Sequence, residues 1–547
     1  MDGEERERKI SKIVETFRGE EDIDRYKKKI AEEIGSNKIL KNSEILKYVK
    51  EEKIREALRK KPSRTMSGVT VVAVMTSPVE CPHGRCVMCP GGPTNNSPQS
   101  YTGFEPAAMR GAQCGYDPYR QVKQRLEQLR AIGHPIGKVE LIVMGGTFTA
   151  RPFSYQRSFV SECLGAMNEF YDRGHSNSND SYSKSKKSSI FEDVKRINET
   201  AKVRNIGTTF ETRPDYCKRD DIDDILYLGG TKVEIGVQSI YNEVLEKIRR
   251  GHTVEDSIEA NRALRDSGLK VGFHVMPGLP SSDLDSDLCM FKELFEGNNF
   301  KPDHLKIYPT LVAEGTELYE WWKAGIYEPY RTEEAAELIA DIKKIVPPWV
   351  RIQRIQRDIP SNHIIDGVKK SNVRQIAQDI LRKRGERCRC IRCREVGHAR
   401  DEPKDIDLSV RKYHCCGGEE FFISYEDLKN DILIGFIRMR FPFKPHRKEI
   451  NEDTALIREL HVYGQMLDVG KKPEEISWHA KMEHFHATKS KISWQHRNYG
   501  RSLLRDAEDI ARENGFKKMA VCSGIGAREY YRKFDYELDG VYMSKTL

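Results

Sequence analysis

The chain contains no uninterrupted apolar run of transmembrane length, which argues against a helix that crosses a bilayer. Its first residues, MDGEERERKI, lack the apolar core of a secretory signal, so a cytoplasmic protein with no membrane attachment is expected. No strong excess of one charge is present: 92 Lys and Arg face 84 Asp and Glu, a net of +8, which alone does not mark a polyanion binder. Aromatic residues are few, at 9%, and hydrophobic residues reach only 38% against 32% charged. Such a composition suits a globular protein with a heavily solvated surface, and 547 residues are too many for one ordinary core, so two or three domains are expected.

A cytoplasmic chain is a poor setting for a disulfide framework, and here the spacing of the thirteen cysteines says more than their number. Cys81, Cys86 and Cys89 form one tight group, Cys388, Cys390 and Cys393 another, and Cys415 and Cys416 are adjacent. Clusters of this kind point to metal ligation. The basic excess is also uneven. Arg59, Lys60, Lys61 and Arg64 sit together, and 381–394 carries six arginines and one lysine, the footprint a polyanionic partner would need.

Residues 1–65 are highly charged, with apolar positions at helical spacing (Ile45, Leu46, Val49, Ile54, Ala57, Leu58), and predict a small helical, basic region. From Val69 onward, β-rich runs begin at Val69, Val139, Ile206, Lys232, Lys270 and His304, with amphipathic stretches between them. Strand-then-helix repetition implies a parallel sheet. Six units predict a partial, TIM-like (β/α)6 barrel over 66–355, with a seventh strand near Val350 left open. In such a barrel, chemistry belongs at the carboxyl ends of the strands. Cys81, Gly145 and Gly146, Glu211 and Arg213, Gln238, His274 and Tyr308 all fall there. Residues 174–189 are low-complexity and read as a surface loop. A basic, cysteine-bearing linker spans 356–400, and a separate α+β domain is expected over 401–547. The fold class is thus α/β.

Three thiolates in the Gly/Pro-rich segment CPHGRCVMCPGG can hold three irons of a 4Fe–4S cluster and leave the fourth open; a zinc site with His83 as fourth ligand is the alternative. Together with MGGTF (144–148), ETRPD (211–215) and EIGVQS (234–239), the segment resembles the radical S-adenosylmethionine (SAM) enzymes. The resemblance implies that Cys81, Cys86 and Cys89 hold the cluster and that SAM chelates the open iron. It further implies that Gly145, Gly146 and Thr147 meet the SAM amino group, with Glu211, Arg213 and Gln238 near its ribose and carboxylate. Two departures stand out: four residues rather than three separate the first two cysteines, and Met88 replaces a common aromatic.

Residues 431–547 present two adjacent strands (DILIGFIRMR, ALIRELHVYG), a Gly-containing loop opening an amphipathic helix (HRNYGRSLLRDAEDIAREN), a strand (KKMAVCSG) and REYYRKFDY. A loop at a helix start can grip a pyrophosphate through its N–H groups. The ordered set resembles a GNAT-type acetyltransferase and implies acetyl-CoA as cosubstrate. Glu459, Leu460, His461 and Val462 would run beside the pantetheine and acetyl group, Tyr499, Gly500 and Arg501 would lie at the pyrophosphate, and Tyr531 near the thioester sulfur. Glu459, His461 and Tyr531 are the candidate catalytic side chains, while Tyr530 reads as a core aromatic. Asn498 and Asp535 stand where the family commonly has Gly. The second cluster, Cys388, Cys390 and Cys393, matches a compact zinc site, with His398, His414, Cys415 or Cys416 as the open fourth ligand.

A radical SAM barrel followed by a GNAT domain, with motifs such as KPSRTMSGV, SYTGFEP, PPWVRIQRIQRDIP and LHVYG, resembles the Elongator catalytic subunit family in its archaeal or bacterial-like form. That resemblance implies a tRNA-modifying acyltransferase acting on uridine 34 of the anticodon stem-loop. In the implied scheme a SAM-derived radical takes hydrogen from the acetyl methyl of acetyl-CoA, the carbon radical adds to carbon 5 of uridine, and thioester hydrolysis leaves a carboxymethyl group. The family also places Lys138 at acetyl-CoA. Other Elongator subunits are not implied by this sequence, and a homodimer stays open. Two further readings remain at this point: a protein lysine acetyltransferase with the barrel as scaffold, and a tRNA-binding assembly subunit.

Overall fold

The computed structural model describes residues 3–547 except 17–22, 37, 50–53, 56–57, 62–63, 172–189, 400–401, 465 and 467–493. The low-complexity stretch 174–189 and Ala57 therefore lie outside the described residues. Seven strands make one parallel sheet in sequence order: β1 (Thr70–Met75), β2 (Lys138–Met144), β3 (Arg204–Thr212), β4 (Lys232–Gln238), β5 (Lys270–Val275), β6 (His304–Ile307) and β7 (Arg351–Ile355). The strand left open near Val350 is present as β7 and pairs with β6. Helices fill the connections, as parallel pairing demands. Several begin at a side-chain cap that satisfies the first free N–H groups, for example Thr253 before Val254–Asp266 and Asp283 before Leu284–Glu296.

The convex face of this half-barrel is apolar. Val72, Val74, Val139, Leu141, Val143, Val233, Ile235, Val271 and Phe273 pack there against the surrounding helices. Parallel strands covered on both faces are usually apolar throughout, yet here the alternate positions are polar: Lys138 and Glu140, Lys232 and Glu234, His304 and Lys306. Successive strand residues point to opposite faces, so these side chains turn into the hollow of the barrel.

The amino-terminal helices Gly3–Thr16, Ile23–Glu33 and Asn42–Ile45 share a small core of their own around Tyr26, Ile30, Ile45 and Leu58. The segment that follows fastens to the barrel by the Arg59 Nε–H to the Gly133 carbonyl at 2.9 Å and by His134.

A second seven-stranded sheet has the order β13-β14-β12-β11-β10-β9-β8. Its strands are β8 (Asp407–Cys415), β9 (Gly418–Asp427), β10 (Ile432–Phe441), β11 (Thr454–Val462), β12 (Lys518–Val521), β13 (Glu537–Asp539) and β14 (Tyr542–Thr546). Only β11 and β12 run parallel, and β10 slips register against β11 at Arg438/Met439. This sheet docks beneath the barrel, on the amino ends of its strands. His461 reaches the Ser67 carbonyl at 2.8 Å before β1, and Arg458 the Leu269 carbonyl at 3.0 Å before β5. Arg458 also pairs with Asp303 before β6, at 2.6 Å, and Arg351 at the start of β7 bonds the Tyr463 hydroxyl at 3.0 Å.

Candidate active site

Beyond β1 the chain enters the loop that carries Cys81, partly exposed, and Cys86 and Cys89, both buried. A cavity of about 320 Å³ opens there, lined by all three cysteines with Gly146, Thr147, Glu211, Arg213 and Gln238. The carboxyl ends of the strands thus bring together residues distant in sequence, Cys81 and Gln238 among them, 157 positions apart. Each sulfur faces a donor: the Thr147 hydroxyl at 3.8 Å from Cys81, the Arg250 guanidinium at 3.7 Å from Cys86, and the Ser100 N–H at 3.2 Å from Cys89. His83 Nε2 lies 3.0 Å from Cys86 Sγ. Burial pushes the thiols of Cys81 and Cys86 up. The donors and the cation are arranged to favour thiolates, as an iron–sulfur cluster requires. Among the described residues, the groups whose ligand atoms all lie within 4.8 Å are Cys388–Cys390–Cys393 and Glu211–Glu234–His274. The three mouth cysteines are more widely spread, which suits one thiolate per iron better than three on a single ion.

The backbone around the cavity is specialised. Gly145 has φ 118, and a Cβ there would lie 2.4 Å from the Thr76 hydroxyl, so the close turn after β2 requires glycine. Gln238 holds φ 66 without being glycine, the kind of local strain that clusters at functional sites. Among the described residues, its Oε1 and the Nη1 of Arg213 are buried without a protein partner, although Arg213 otherwise pairs with Asp215 at 2.7 Å and the Gly251 carbonyl at 3.0 Å. Met88 lines the cavity too and packs beside Val244 and Met276.

Glu211 is not alone. Its carboxylate accepts from Lys306 Nζ at 2.8 Å and from the Tyr101 hydroxyl at 2.8 Å. Lys306 also pairs with Glu234, which bonds His274 at 3.0 Å. Burial alone would raise Glu211, but Lys306 and His274 outweigh it and hold the carboxyl below its usual range. Burial lowers His274, while Glu211 and Glu234 more than reverse the same effect on Lys306 and raise it. This polar column continues down the barrel through Lys232 to Glu140 at 2.8 Å. At the foot, His304 Nε2 is 3.7 Å from the Glu459 carboxylate of the second sheet. Sequence reasoning singled out Glu211 and His274 but missed Tyr101, Glu234, Lys306 and Arg250; the polar alternation K-x-E and H-x-K within parallel strands was the available signal.

The second group of expected residues gathers at the opposite end. Lys138, at the start of β2, donates to Gln495 Oε1 at 3.1 Å and lies 3.3 Å from His496 Nε2, just before the helix Tyr499–Glu513. Asn498 caps that helix in the left-handed region at φ 68, and Asp535 is also left-handed at φ 65. These replacements for Gly are the residues that tolerate such angles best. Along β11, Glu459 pairs with Arg438 at 2.8 Å and His461 lies against Tyr463 with ring centroids 4.3 Å apart, both toward the barrel. Leu460 and Val462 pack on the other face with the helix core. Tyr531 is buried in that core, and Tyr530 is half-buried against it. It is the Tyr530 hydroxyl that reaches the helix start, since a Cβ on Gly500 would lie 2.6 Å from it.

Cys388, Cys390 and Cys393 form a tight triangle. Lys343, fully buried, lies 3.7 Å from Cys393 Sγ, and a buried ammonium calls for negative charge, so the set fits a thiolate-bound cation. The expected fourth ligands point elsewhere: His398 bonds Glu395 at 2.9 Å, and Cys416 lies 3.3 Å from the Asn299 carbonyl. The arginine-rich stretch is largely spent on internal pairs. Arg384 bridges Glu337 and Asp341, Arg389 pairs with Asp431, and Arg394 is buried against Glu426. Lys60, Lys61 and Arg64, by contrast, are exposed.

Comparison with known proteins agrees with this layout. The Radical SAM superfamily matches residues 76–288, and the Radical_SAM C-terminal domain matches residues 302–383. The chain is 53% identical over 519 residues to "tRNA uridine(34) acetyltransferase" of Methanocaldococcus jannaschii, covering 92% of this chain and 90% of the relative. It is 44% identical to "Elongator complex protein 3" of Schizosaccharomyces pombe, covering 91% and 88%. The solved structure of the archaeal Methanocaldococcus infernus Elp3 with an N-terminal deletion superimposes with a TM-score of 0.74 at 48% identity, over 88% of this chain and all of that one (100%).

Proposed function

This chain belongs to the family of the tRNA uridine(34) acetyltransferases and Elongator complex protein 3, and from that membership we propose that it builds a carboxymethyl group on carbon 5 of the wobble uridine of tRNA, with acetyl-CoA as carbon source. The observation that carries the reading is the cavity at the barrel mouth, where three cysteines, each facing a donor, meet two unpartnered polar atoms of Arg213 and Gln238. A 4Fe–4S cluster held by Cys81, Cys86 and Cys89, with SAM, supplies one-electron chemistry when bound.

The chain's own residues do the positioning. Gly145 makes the tight turn that brings Gly146 and Thr147 to the cavity wall, and together the three would receive the SAM amino group. We assign Arg213 Nη1 to its carboxylate and Gln238 to its ribose. Glu211, kept ionised by Lys306 and oriented by Tyr101, presents a fixed negative wall to the same space. At the other end, Tyr499, Gly500 and Arg501 open a pyrophosphate site at the start of a helix, whose N–H groups and dipole favour an anion. Lys138 adds a cation, Leu460 and Val462 flank the pantetheine, Glu459 and His461 turn toward the barrel, and Tyr531 backs the site from the core. β2 separates the two ends by seven residues, about 23 Å at roughly 3.3 Å per residue. The arm that carries the acetyl group therefore has to enter the barrel from its foot, where His304 and Glu459 meet. Zinc on Cys388, Cys390 and Cys393 would act as a structural staple between the barrel and the second sheet, and the enzyme would work in the cytoplasm.

The test is anaerobic reconstitution of the full chain with a tRNA transcript, reading iron content, SAM cleavage and carboxymethyluridine by mass spectrometry. Wild-type protein is expected to show all three and Cys86→Ala none. Carboxymethyluridine made by Cys86→Ala, or a wild type that never cleaves SAM, would sink the proposal.

A further inference from the structure

At the barrel mouth two rings from different loops lie stacked outside every apolar core. The centroids of Phe104 and His363 are 3.7 Å apart, with planes 13° from parallel. Phe104 is 46% exposed and joins none of the hydrophobic clusters. A stack this close covers one face of the phenyl ring, so its exposure is on the other. Both loops frame the cavity: Tyr101 and Glu105, on either side of Phe104, line it, as do Arg354, Arg357 and Asp358 ahead of His363. Phe104 itself sits on the rim and does not line the interior.

Single exposed apolar residues are ordinary, but a ring held flat by a second ring is already ordered before anything binds. The loops at the mouth also carry cations, alongside the carboxylates of Glu105 and Asp358. Arg357 donates to the Ser100 carbonyl and lies 5.9 Å from the Tyr101 ring centroid. Arg85, exposed, is held by the Cys89 and Gly315 carbonyls at 2.9 Å each. Arg354 is exposed beside Asp358 at 2.7 Å. An open π-face among positive groups fits single-stranded nucleic acid, whose bases stack and whose phosphates need cations; a protein partner would call for a wider apolar patch.

We propose that Phe104, backed by His363, is a stacking platform for a nucleotide that flanks the target uridine. When a base leaves the anticodon stack for an enzyme cavity, the cost is lost stacking. Phe104 replaces the stacking partner that the neighbouring base loses. This inference rests on the tRNA reading above.

The probe is an anticodon stem-loop RNA carrying 2-aminopurine next to uridine 34, titrated into the reconstituted full chain. Phe104→Ala is expected to weaken binding about tenfold, the scale of one base–aromatic stack. Phe104→Trp should restore it, and Phe104→Leu, with apolar area but no ring face, should resemble alanine. The slope of log affinity against log salt should not change, because no phosphate contact is removed. An unchanged unfolding midpoint separates this loss from misfolding. Equal affinity for wild type and Phe104→Ala overturns the platform while leaving the tRNA reading intact. Failure of wild type to bind the stem-loop overturns the tRNA reading itself.

Discussion

Both ring nitrogens of His134 are committed: Nε2 lies 2.9 Å from the Lys60 carbonyl and Nδ1 3.1 Å from the Thr65 hydroxyl. A carbonyl only accepts, so Nε2 carries the proton and Nδ1 accepts from threonine, which defines a neutral imidazole. Burial, reinforced by the charge of Arg59, lowers its pKa to about 4. The unfolded chain takes up a proton below the ordinary histidine range near 6.5, whereas the folded one refuses it until about pH 4. The stability that His134 contributes is therefore complete above that range and falls as the pH drops through it. Urea midpoints at pH 5 and pH 7.5 should differ less in His134→Gln than in wild type; an equal difference would contradict the assignment.

At the scale of the element, the helix Tyr499–Glu513 does two jobs. Leu503, Leu504, Ala507 and Ala511 bury one stripe in the core beneath the second sheet, the spacing of an amphipathic helix. Its first turn leaves backbone N–H groups free, with Gly500 against the Tyr530 hydroxyl. Gly500→Val would push a branched side chain into that approach. Acetyl-CoA affinity, read by calorimetry, is expected to fall by about tenfold or more where bare backbone must meet a phosphate, while SAM cleavage persists at the far end of the barrel. Loss of both together would mean that the substitution disturbs the fold rather than the site.

The whole molecule is held together by a buried charge cluster between barrel and second sheet. Asp303, with no exposure, lies 2.6 Å from Arg458, 3.4 Å from Arg438 and 3.5 Å from Arg265. Glu420 pairs with Arg458 at 2.7 Å and with Arg440 and Arg265 at 3.0 Å each. Burial would raise both carboxyls, but the arginines prevail and hold them below the usual carboxylate range. This contribution is present above that range and lost as the pH falls through it. Asp303→Asn leaves buried guanidinium groups uncompensated and should cost roughly 3–5 kcal/mol in denaturant unfolding. A cost within about 1 kcal/mol, the scale of an exposed pair, would show that the cluster does not hold the halves together.

Local pattern was enough for six strands of the barrel, for the helical start of the chain and for the cysteine spacings, because strand and helix periodicity and ligand clustering lie within short windows of sequence; the seventh strand, near Val350, stayed open until its pairing with β6 was seen. Asn498 and Asp535 stood out only because the resembled family commonly has Gly there, and both take left-handed angles. Which face of the barrel receives the second sheet, and hence the opposition of Lys138 to the cysteines, depended on long-range pairs such as Arg458 with Asp303 that no window contains. The same limit hid the stack of Phe104 on His363 and the partners of Glu211. It also made the arginines of 381–394 look free, when Arg384 and Arg394 had already met carboxylates distant in sequence. Residue type and spacing therefore determined the chemistry available to this protein, and tertiary packing decided where each group spends its charge.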